Sequence, residues 1–116
     1  MNLLDTGIII EMLKMRQFKP GYTSPIILIE LLRGIEKEKR PPIKEKLEKS
    51  FTIINLDDAI IEAYCELYRK LKQDGALLPD ADLLIAATTI AHDLCLETND
   101  EHFQRLKELG LDLSKS

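Results

Sequence analysis

Short apolar segments alternate with helical patterns along nearly the whole chain, and this alternation is the strongest constraint on its fold. Apolar and β-branched runs predict strands at residues 2–5, 22–24, 51–56, 94–98 and 111–113. Periodic patterns predict helices between them, at residues 6–15, 25–35, 41–50, 58–74, 79–91 and 101–109. Strands separated by helices predict a three-layer α/β/α fold with a central, mostly parallel sheet.

Local signals mark where several of these helices begin and end. Thr6 is predicted to cap the first helix, and Ser24 with Pro25 supplies a cap and a first-turn proline for the second. Asp57 is predicted to cap the long helix 58–74, and Gly75 to end it.

Length and composition predict one globular domain over residues 1–116. Hydrophobic residues make up 45% and charged residues 31% of the chain, which is typical of a folded protein. No run of 18 apolar residues is present, so no membrane span is expected. The N-terminus lacks a basic region and Asp5 interrupts its apolar segment, so we expect no signal peptide and a cytoplasmic location.

Charge is distributed unevenly along the chain. The net charge of −4 argues against a protein that grips nucleic acid with its whole surface. Residues 33–49 nevertheless contain seven Lys or Arg and four Glu, a local charge of +3. This segment is either a solvated helix face of mixed sign, which we favour, or a patch that faces phosphate.

The two cysteines favour buried thiols over a zinc site. Cys65 falls in a helical pattern and Cys95 in a strand-like one, 30 residues apart and without a CxxC motif. A structural zinc site is nearly excluded because His92 and His102 have the wrong spacing to complete one.

Four carboxylates adjoin apolar sequence where such a sheet forms its cleft. Asp5 ends the first predicted strand, and Asp100 follows the strand 94–98. Glu30 lies within an apolar helix, and Asp82 lies in the first turn of the segment "PDADLLIAATTIA". Ligands of parallel sheets bind outside the carboxyl ends of the strands, so these acids are candidate functional residues.

Helix capping is the competing explanation for the aspartates. Asp5, Asp80 or Asp82, and Asp100 each stand where a cap is common. Glu30 has no such role, and an exposed pair with Arg33 would contribute only about 0.2–0.5 kcal/mol. Burial of Glu30 among Ile and Leu would cost several kcal/mol.

A cluster of these acids predicts a divalent cation. Clustered carboxylates repel one another and raise each other's pKa values. Hard ions such as Mg²⁺, with Mn²⁺ as a substitute, suit oxygen ligands, and they can activate a water and neutralise charge on a phosphodiester. The chain contains no GxSxG, P-loop or motif-framed Cys-His pair that would indicate other chemistry.

Three blocks of the sequence resemble the PIN-domain family, and most closely its VapC-type toxin ribonucleases. The blocks are "LLDTGIIIEML", "TSPIILIELLRG" and "PDADLLIAATTIAHDLCLETNDEHF", and the resemblance runs from Asp5 to about Leu109. It implies a PIN-like α/β/α fold and an endoribonuclease that depends on Mg²⁺ or Mn²⁺.

The resemblance also implies which acids hold the ion. Asp5, Glu30 and Asp82 match the three acids of the family's metal site, and Asp100 matches a fourth, more variable acid. All four are therefore expected to be catalytic metal ligands. Asp80 has no counterpart among them and is expected to be an ordinary cap or rim residue.

Three hydroxyl residues match the family pattern, and two other positions differ from it. Thr6, Ser24 and Thr98 fall where a hydroxyl supports the acids or a water. Gly7 replaces the usual Asn of the first block, and His102 stands directly before the Phe, where the family often has an acid. We expect His102 to be a partly exposed residue at a helix start rather than a phosphate contact.

Partners follow from the resemblance as well. It implies an RNA substrate, a homodimer and an antitoxin encoded beside the toxin, whose tail enters the acidic groove. Arg33 and Lys14 are candidates for positioning the RNA backbone without reading its sequence.

Three other functions stay open from the sequence. One is a PIN nuclease for RNA processing or quality control, although such proteins often carry extra domains or a zinc ribbon. Another is a signalling module with Asp57 as phosphoacceptor and Lys115 as its partner, which would leave Glu30 unexplained. The last is a binding module whose acids only cap helices.

Overall fold

The computed structural model, which describes residues 1–114, contains a five-stranded parallel sheet in the order β3-β2-β1-β4-β5. The strands are short: β1 Asn2–Leu4, β2 Tyr22–Thr23, β3 Thr52–Ile53, β4 Cys95–Glu97 and β5 Asp112–Leu113. The predicted α/β fold with a parallel sheet is therefore confirmed.

Five α-helices flank the sheet: α1 Thr6–Met15, α2 Pro25–Leu32, α3 Arg40–Ser50, α4 Asp58–Gln73 and α5 Asp80–Ala91. A 3₁₀ turn spans Lys37–Lys39, and a C-terminal 3₁₀ helix spans Glu101–Leu109. Because crossovers in parallel sheets are right-handed, this strand order assigns α1 to α3 to one face of the sheet and α4 and α5 to the other. Helix α2 also contacts α5. No helix within residues 1–114 has the length and apolar character needed to span a bilayer.

The strand order reverses between β1 and β4, which are neighbours at the centre of the sheet. In their parallel register Leu3 pairs with Leu96 and Leu4 with Glu97, and all four residues are buried. Ligand clefts of open parallel sheets form outside the carboxyl ends of the strands at such a reversal. This position is where the chain places Asp5 and the segment 98–100.

Helix α5 is a core element of the domain. Its buried residues are Leu83, Ile85, Ala86, Ala87, Thr88 and Thr89. The Thr88 and Thr89 hydroxyls donate to the carbonyls of Leu84 and Ile85 at 2.7 and 2.9 Å, so their burial leaves no unpaired hydroxyl. Core packing therefore accounts for most of the apolar stretch after Asp82.

Most predicted helix boundaries are confirmed, with one exchange of roles. Ser24 caps α2 and Asp57 caps α4, and Gly75 follows the end of α4 with a φ of 65°. The prediction that Thr6 caps α1 is wrong. Asp5 is the cap, and Thr6 is the first helical residue.

Two other predictions need correction. The strand expected at 51–56 comprises only Thr52–Ile53, because it lies at the sheet edge beside the two-residue β2. Cys65 is exposed and Cys95 only half-buried, so the prediction of two buried thiols is wrong. The buried stripe of α4 runs through Ile60, Leu67 and Leu71, and Cys65 lies off that stripe.

Gly21 lies where β2 approaches β1 so closely that a side chain does not fit. A Cβ built there would lie 2.8 and 3.0 Å from Leu4 Cδ1 and Cγ and 3.3 Å from the Asn2 carbonyl oxygen. At Gly34 a Cβ would meet no atom within 4 Å. We predict that Gly21→Ala lowers the free energy of unfolding by about 1–3 kcal/mol through overpacking.

The matched control is Gly34→Ala, which is expected to be neutral or to stabilise by up to about 1 kcal/mol. Urea unfolding monitored by circular dichroism measures both variants. Equal stability of the two would contradict the close approach of β1 and β2.

Candidate metal centre

A cavity of about 320 Å³ opens at the carboxyl edge of the sheet and contains all four predicted acids. It is lined by Asp5, Thr6, Gly7, Glu30, Asp82, Asn99 and Asp100. The acids come from four different elements: the end of β1, helix α2, helix α5 and the segment after β4. The structure therefore brings together residues up to 95 positions apart.

Asp5 is held in place by two hydrogen bonds. Its Oδ1 accepts from the backbone N–H of Thr6 at 2.8 Å, and its Oδ2 accepts from the Thr98 hydroxyl at 2.6 Å. Only 8% of the residue is exposed. The capping role expected for an aspartate here is real, and the same carboxylate also faces the cavity.

The Thr98 hydroxyl links two of the acids. It donates to Asp5 and accepts from the backbone N–H of Asp100 at 3.0 Å. Asp100 in turn caps the C-terminal 3₁₀ helix, because its Oδ1 accepts from the N–H of His102 at 2.9 Å. One side chain on the β4 edge thus orients the acids that follow β1 and β4.

Glu30 points into the cavity from α2. The helix buries Ile27, Leu28 and Leu31, while Glu30 is half-buried and its Oε1 accepts from the Thr6 hydroxyl at 3.0 Å. Within residues 1–114 no ion pair joins Glu30 to a basic side chain. The alternative pairing with Arg33 is not formed.

Asp82 lies in the first turn of α5 and does not cap it. The N-cap residue is Pro79, and no side chain makes a capping hydrogen bond there. Loss of hydration on burial raises the pKa of Asp82, and the negative charges of Asp100, Glu30 and Asp5 raise it further, while His102 lowers it. Asp82 is therefore close enough to the other three acids for their negative charges to act on it.

Glu97 is a buried acid near the cavity that, unlike the four cavity acids, has a basic partner. Its Oε2 lies 2.6 Å from Lys19 Nζ, and Asn2 donates to its Oε1 at 3.0 Å. Burial raises the pKa of Glu97, but the hydrogen bonds from Lys19 and Asn2 outweigh this and leave it below its usual value. Among the described residues no Lys or Arg forms such an ion pair with the four cavity acids.

A compact group of possible ligands lies at the rim of the cavity. Each of Asp82, Asp100 and His102 offers one ligand atom, and these atoms lie within 4.8 Å of one another. Asp5 and Glu30 are not members of this group but add their charges to it. Oxygen-rich sites of this kind suit hard divalent cations, so the residues present fit a metal ion.

Several predicted residues lie outside the cavity. Ser24 is buried and its hydroxyl accepts from the Ile27 N–H at 3.4 Å as a helix cap. Asp80 accepts a hydrogen bond of 2.5 Å from the Tyr64 hydroxyl and does not cap α5. Neither Lys14 nor Arg33 lines the acidic cavity.

The geometry disfavours the signalling alternative. Asp57 caps α4, and its Oδ2 lies 2.8 Å from His92 Nε2, away from the acidic cavity. Lys115, the other residue that alternative requires, lies outside the described residues.

Sequence reasoning did not single out Asn99 as a cavity residue. Its side chain lines the cavity and its Nδ2 donates to Glu11 Oε1 at 3.3 Å. The sequence carried no independent signal for this role, because an Asn beside an Asp in a turn usually reflects turn geometry alone.

Replacement of Asp82 by Asn is expected to stabilise the metal-free protein. Because the folded-state pKa of Asp82 is raised, its ionisation opposes folding as pH rises from its ordinary value of 3.8 through the shifted value. Urea unfolding in EDTA should show Asp82→Asn more stable than the wild type at pH 7, with a smaller difference near pH 4. Asp80→Asn is the matched control in the same helical turn and should not stabilise the protein, because Asp80 lies outside the cavity and accepts a hydrogen bond from Tyr64. Destabilisation by Asp82→Asn at pH 7 would instead support a purely structural role.

Comparison with known proteins identifies the fold family. Residues 3–109 match the PIN domain family. The chain is 37% identical to Ribonuclease VapC1 of Methanocaldococcus jannaschii, over 96% of this chain and 85% of that protein. A chain in the structure of VapBC-1 from nontypeable Haemophilus influenzae superposes with a TM-score of 0.81 at 24% identity, covering 98% and 96% of the two chains.

A chain in the toxin–antitoxin complex from Klebsiella pneumoniae has a TM-score of 0.70 at 26% identity, covering 89% of this chain and 90% of that one. These TM-scores show that both solved chains have the same overall fold as this chain. The family match covers nearly the whole chain, including the three sequence blocks that contain the four cavity acids. The protein therefore belongs to the PIN-domain family and is similar, over almost its full length, to the VapC-type members of that family.

Proposed function

We propose that this protein is an endoribonuclease that hydrolyses RNA phosphodiester bonds with Mg²⁺ or Mn²⁺ and acts as the toxin of a toxin–antitoxin pair. The observation that carries the proposal is the set of four acids in one cavity without a Lys or Arg partner among the described residues. Such an arrangement costs stability unless a cation binds. The name ribonuclease carried by the 37% identical relative supports the choice of substrate.

Each acid has a distinct part in holding the ion. Asp5 is the most rigid ligand because both of its oxygens accept hydrogen bonds. Glu30, Asp82 and Asp100 complete an oxygen-rich ligand set from three further elements. When bound, a divalent cation supplies an activated water and neutralises charge that develops on the phosphate.

Two threonines that donate to cavity acids are positioning residues. Thr98 donates to Asp5 and Thr6 donates to Glu30, so each hydroxyl fixes the orientation of one carboxylate. Mutation of groups that orient metal ligands typically lowers metal affinity about 10- to 100-fold. Ser24 contributes indirectly in this proposal, as the cap of the helix that carries Glu30.

Basic side chains near α2 are candidates for holding the RNA backbone. Arg33, Arg40 and Lys44 line a separate cavity of about 450 Å³ formed largely by apolar residues of α2. Arg40 is anchored there, since its Nε donates to the carbonyls of Leu32 and Ile35 at 3.1 and 2.8 Å. Cationic groups at the end of α2, which carries Glu30, and on the neighbouring α3 would position phosphates without reading base sequence.

The antitoxin is the proposed protein partner. The similar chain from Klebsiella pneumoniae belongs to a toxin–antitoxin complex, which supports this assignment. A basic side chain of an antitoxin tail would enter the acidic cavity and neutralise it in place of the cation. A homodimer is part of the same proposal and rests on the family resemblance.

RNA cleavage in Mn²⁺ should be abolished by EDTA and reduced at least about 100-fold by Asp5→Asn or Asp82→Asn, as expected for the loss of a charged ligand. Asp80→Asn is the matched control, because it makes the same chemical change in the first turn of α5 outside the cavity. Denaturing gel electrophoresis of a labelled RNA measures all five reactions, including that of the wild type in Mn²⁺. Cleavage that persists in EDTA and in both cavity variants would rule out the metal-dependent mechanism.

Expression of the chain alone should arrest growth of the host, and co-expression of the neighbouring open reading frame should restore it. Asp5→Asn expressed alone should be harmless, which ties the arrest to the cavity. Colony counts after induction measure the effect. Normal growth with the wild-type chain alone would favour the RNA-processing nuclease over the toxin.

A further inference from the structure

His102 lies beside the cavity acids, at a position where PIN-domain proteins often have an acid. One of its ring nitrogens lies within 4.8 Å of ligand oxygens of both Asp82 and Asp100, and its Nδ1 is 3.2 Å from Asp100 Oδ1. Its side chain is 70% exposed. The ring is therefore free to turn without disturbing the core.

The three ligand atoms fit a single ion after a small adjustment. Metal–ligand distances of roughly 2.0–2.2 Å place two ligands of one ion at most about 4.4 Å apart. The ligand atoms of the three residues lie within 4.8 Å of one another, so movements of side chains alone would bring them to one ion. Rotation of an exposed imidazole supplies such a movement without a change in the backbone.

We infer that His102 is a nitrogen ligand of the ion held by Asp82 and Asp100, and that it makes the site prefer Mn²⁺ and later transition metals over Mg²⁺. The inference rests on the proposed metal-dependent function and concerns the choice of ion. Imidazole suits transition metals, whereas Mg²⁺ favours sites composed of oxygen ligands and water. Replacement of an acid by His102 therefore changes the selectivity of the site.

A spectroscopic test of this ligand is unusually clean, because the chain has only two histidines. The other, His92, ends α5 and contacts Asp57, outside the acidic cavity. Electron spin-echo modulation of Mn²⁺ bound to the untagged full chain should show coupling to an imidazole nitrogen. The coupling should disappear in His102→Ala and persist in His92→Ala.

Calorimetric titration with Mn²⁺ and with Mg²⁺ tests the selectivity. His102→Ala should weaken Mn²⁺ binding at least about tenfold and weaken Mg²⁺ binding less. His102→Asp, which restores an all-oxygen set, should shift the ratio of Mg²⁺ to Mn²⁺ affinity about tenfold towards Mg²⁺. His92→Ala should leave both affinities unchanged.

Two results would overturn the inference. One is Mn²⁺ binding without coupling to an imidazole nitrogen, and the other is an unchanged ratio of Mg²⁺ to Mn²⁺ affinity in both His102 variants. If Asp82→Asn still weakened metal binding, the proposed function would remain intact in either case. Tighter Mn²⁺ binding by His102→Ala would also overturn it, since the ring would then repel the ion. If the wild-type chain bound neither Mn²⁺ nor Mg²⁺, the inference and the proposed function would both fail.

Discussion

The parallel pairing of β1 with β4 is the constraint on which the site depends. Asp5 N–H donates to the Glu97 carbonyl at 3.0 Å directly after the last register pair of the two strands. This bond brings the residue that follows β1 beside Thr98, which follows β4, so that the Thr98 hydroxyl reaches Asp5. Side chains alternate between the faces of a sheet, so a shift of register by one residue would turn Asp5 away from its partners.

Acids near the carboxyl edge of the sheet lie in two kinds of environment, with opposite consequences for stability. Glu97 is neutralised by Lys19 at 2.6 Å and fastens the loop before β2 to the sheet. Asp82 instead faces like charges, and its raised pKa reflects both burial and their repulsion. Because a lysine pairs with Glu97 but no Lys or Arg among the described residues pairs with the cavity acids, the cavity lowers the stability of the fold. Perturbed acids of this kind cluster at functional sites.

Rigidity of the candidate site comes from the elements that carry the acids. Helix α5 is anchored by six buried residues, so Asp82 at its start has little freedom to move away from the other charges. Helix α2 buries three apolar side chains beside Glu30. Asp5 and Asp100 are both capping residues, which fixes their backbone as well as their side chains. Capping and cavity lining are therefore compatible roles for the same aspartate, and the two explanations weighed for these residues are not exclusive.

The sequence by itself determined the alternation of strands and helices, most helix boundaries and the four acids that the structure gathers, because periodicity and capping are local. Because parallel strands end at the same edge of a sheet, the sequence was enough to predict that Asp5 and Asp100 lie close together. The sequence did not determine whether Asp5 or Thr6 caps α1, because both residue types are common helix caps. It also did not determine the exposure of Cys65, which depends on the face that α4 turns to the sheet. Tertiary structure alone decided that Lys19 neutralises Glu97 and that His102 joins Asp82 and Asp100. The Lys19–Glu97 contact and the approach of His102 to Asp82 join residues far apart in the chain, and they form only when separate elements pack.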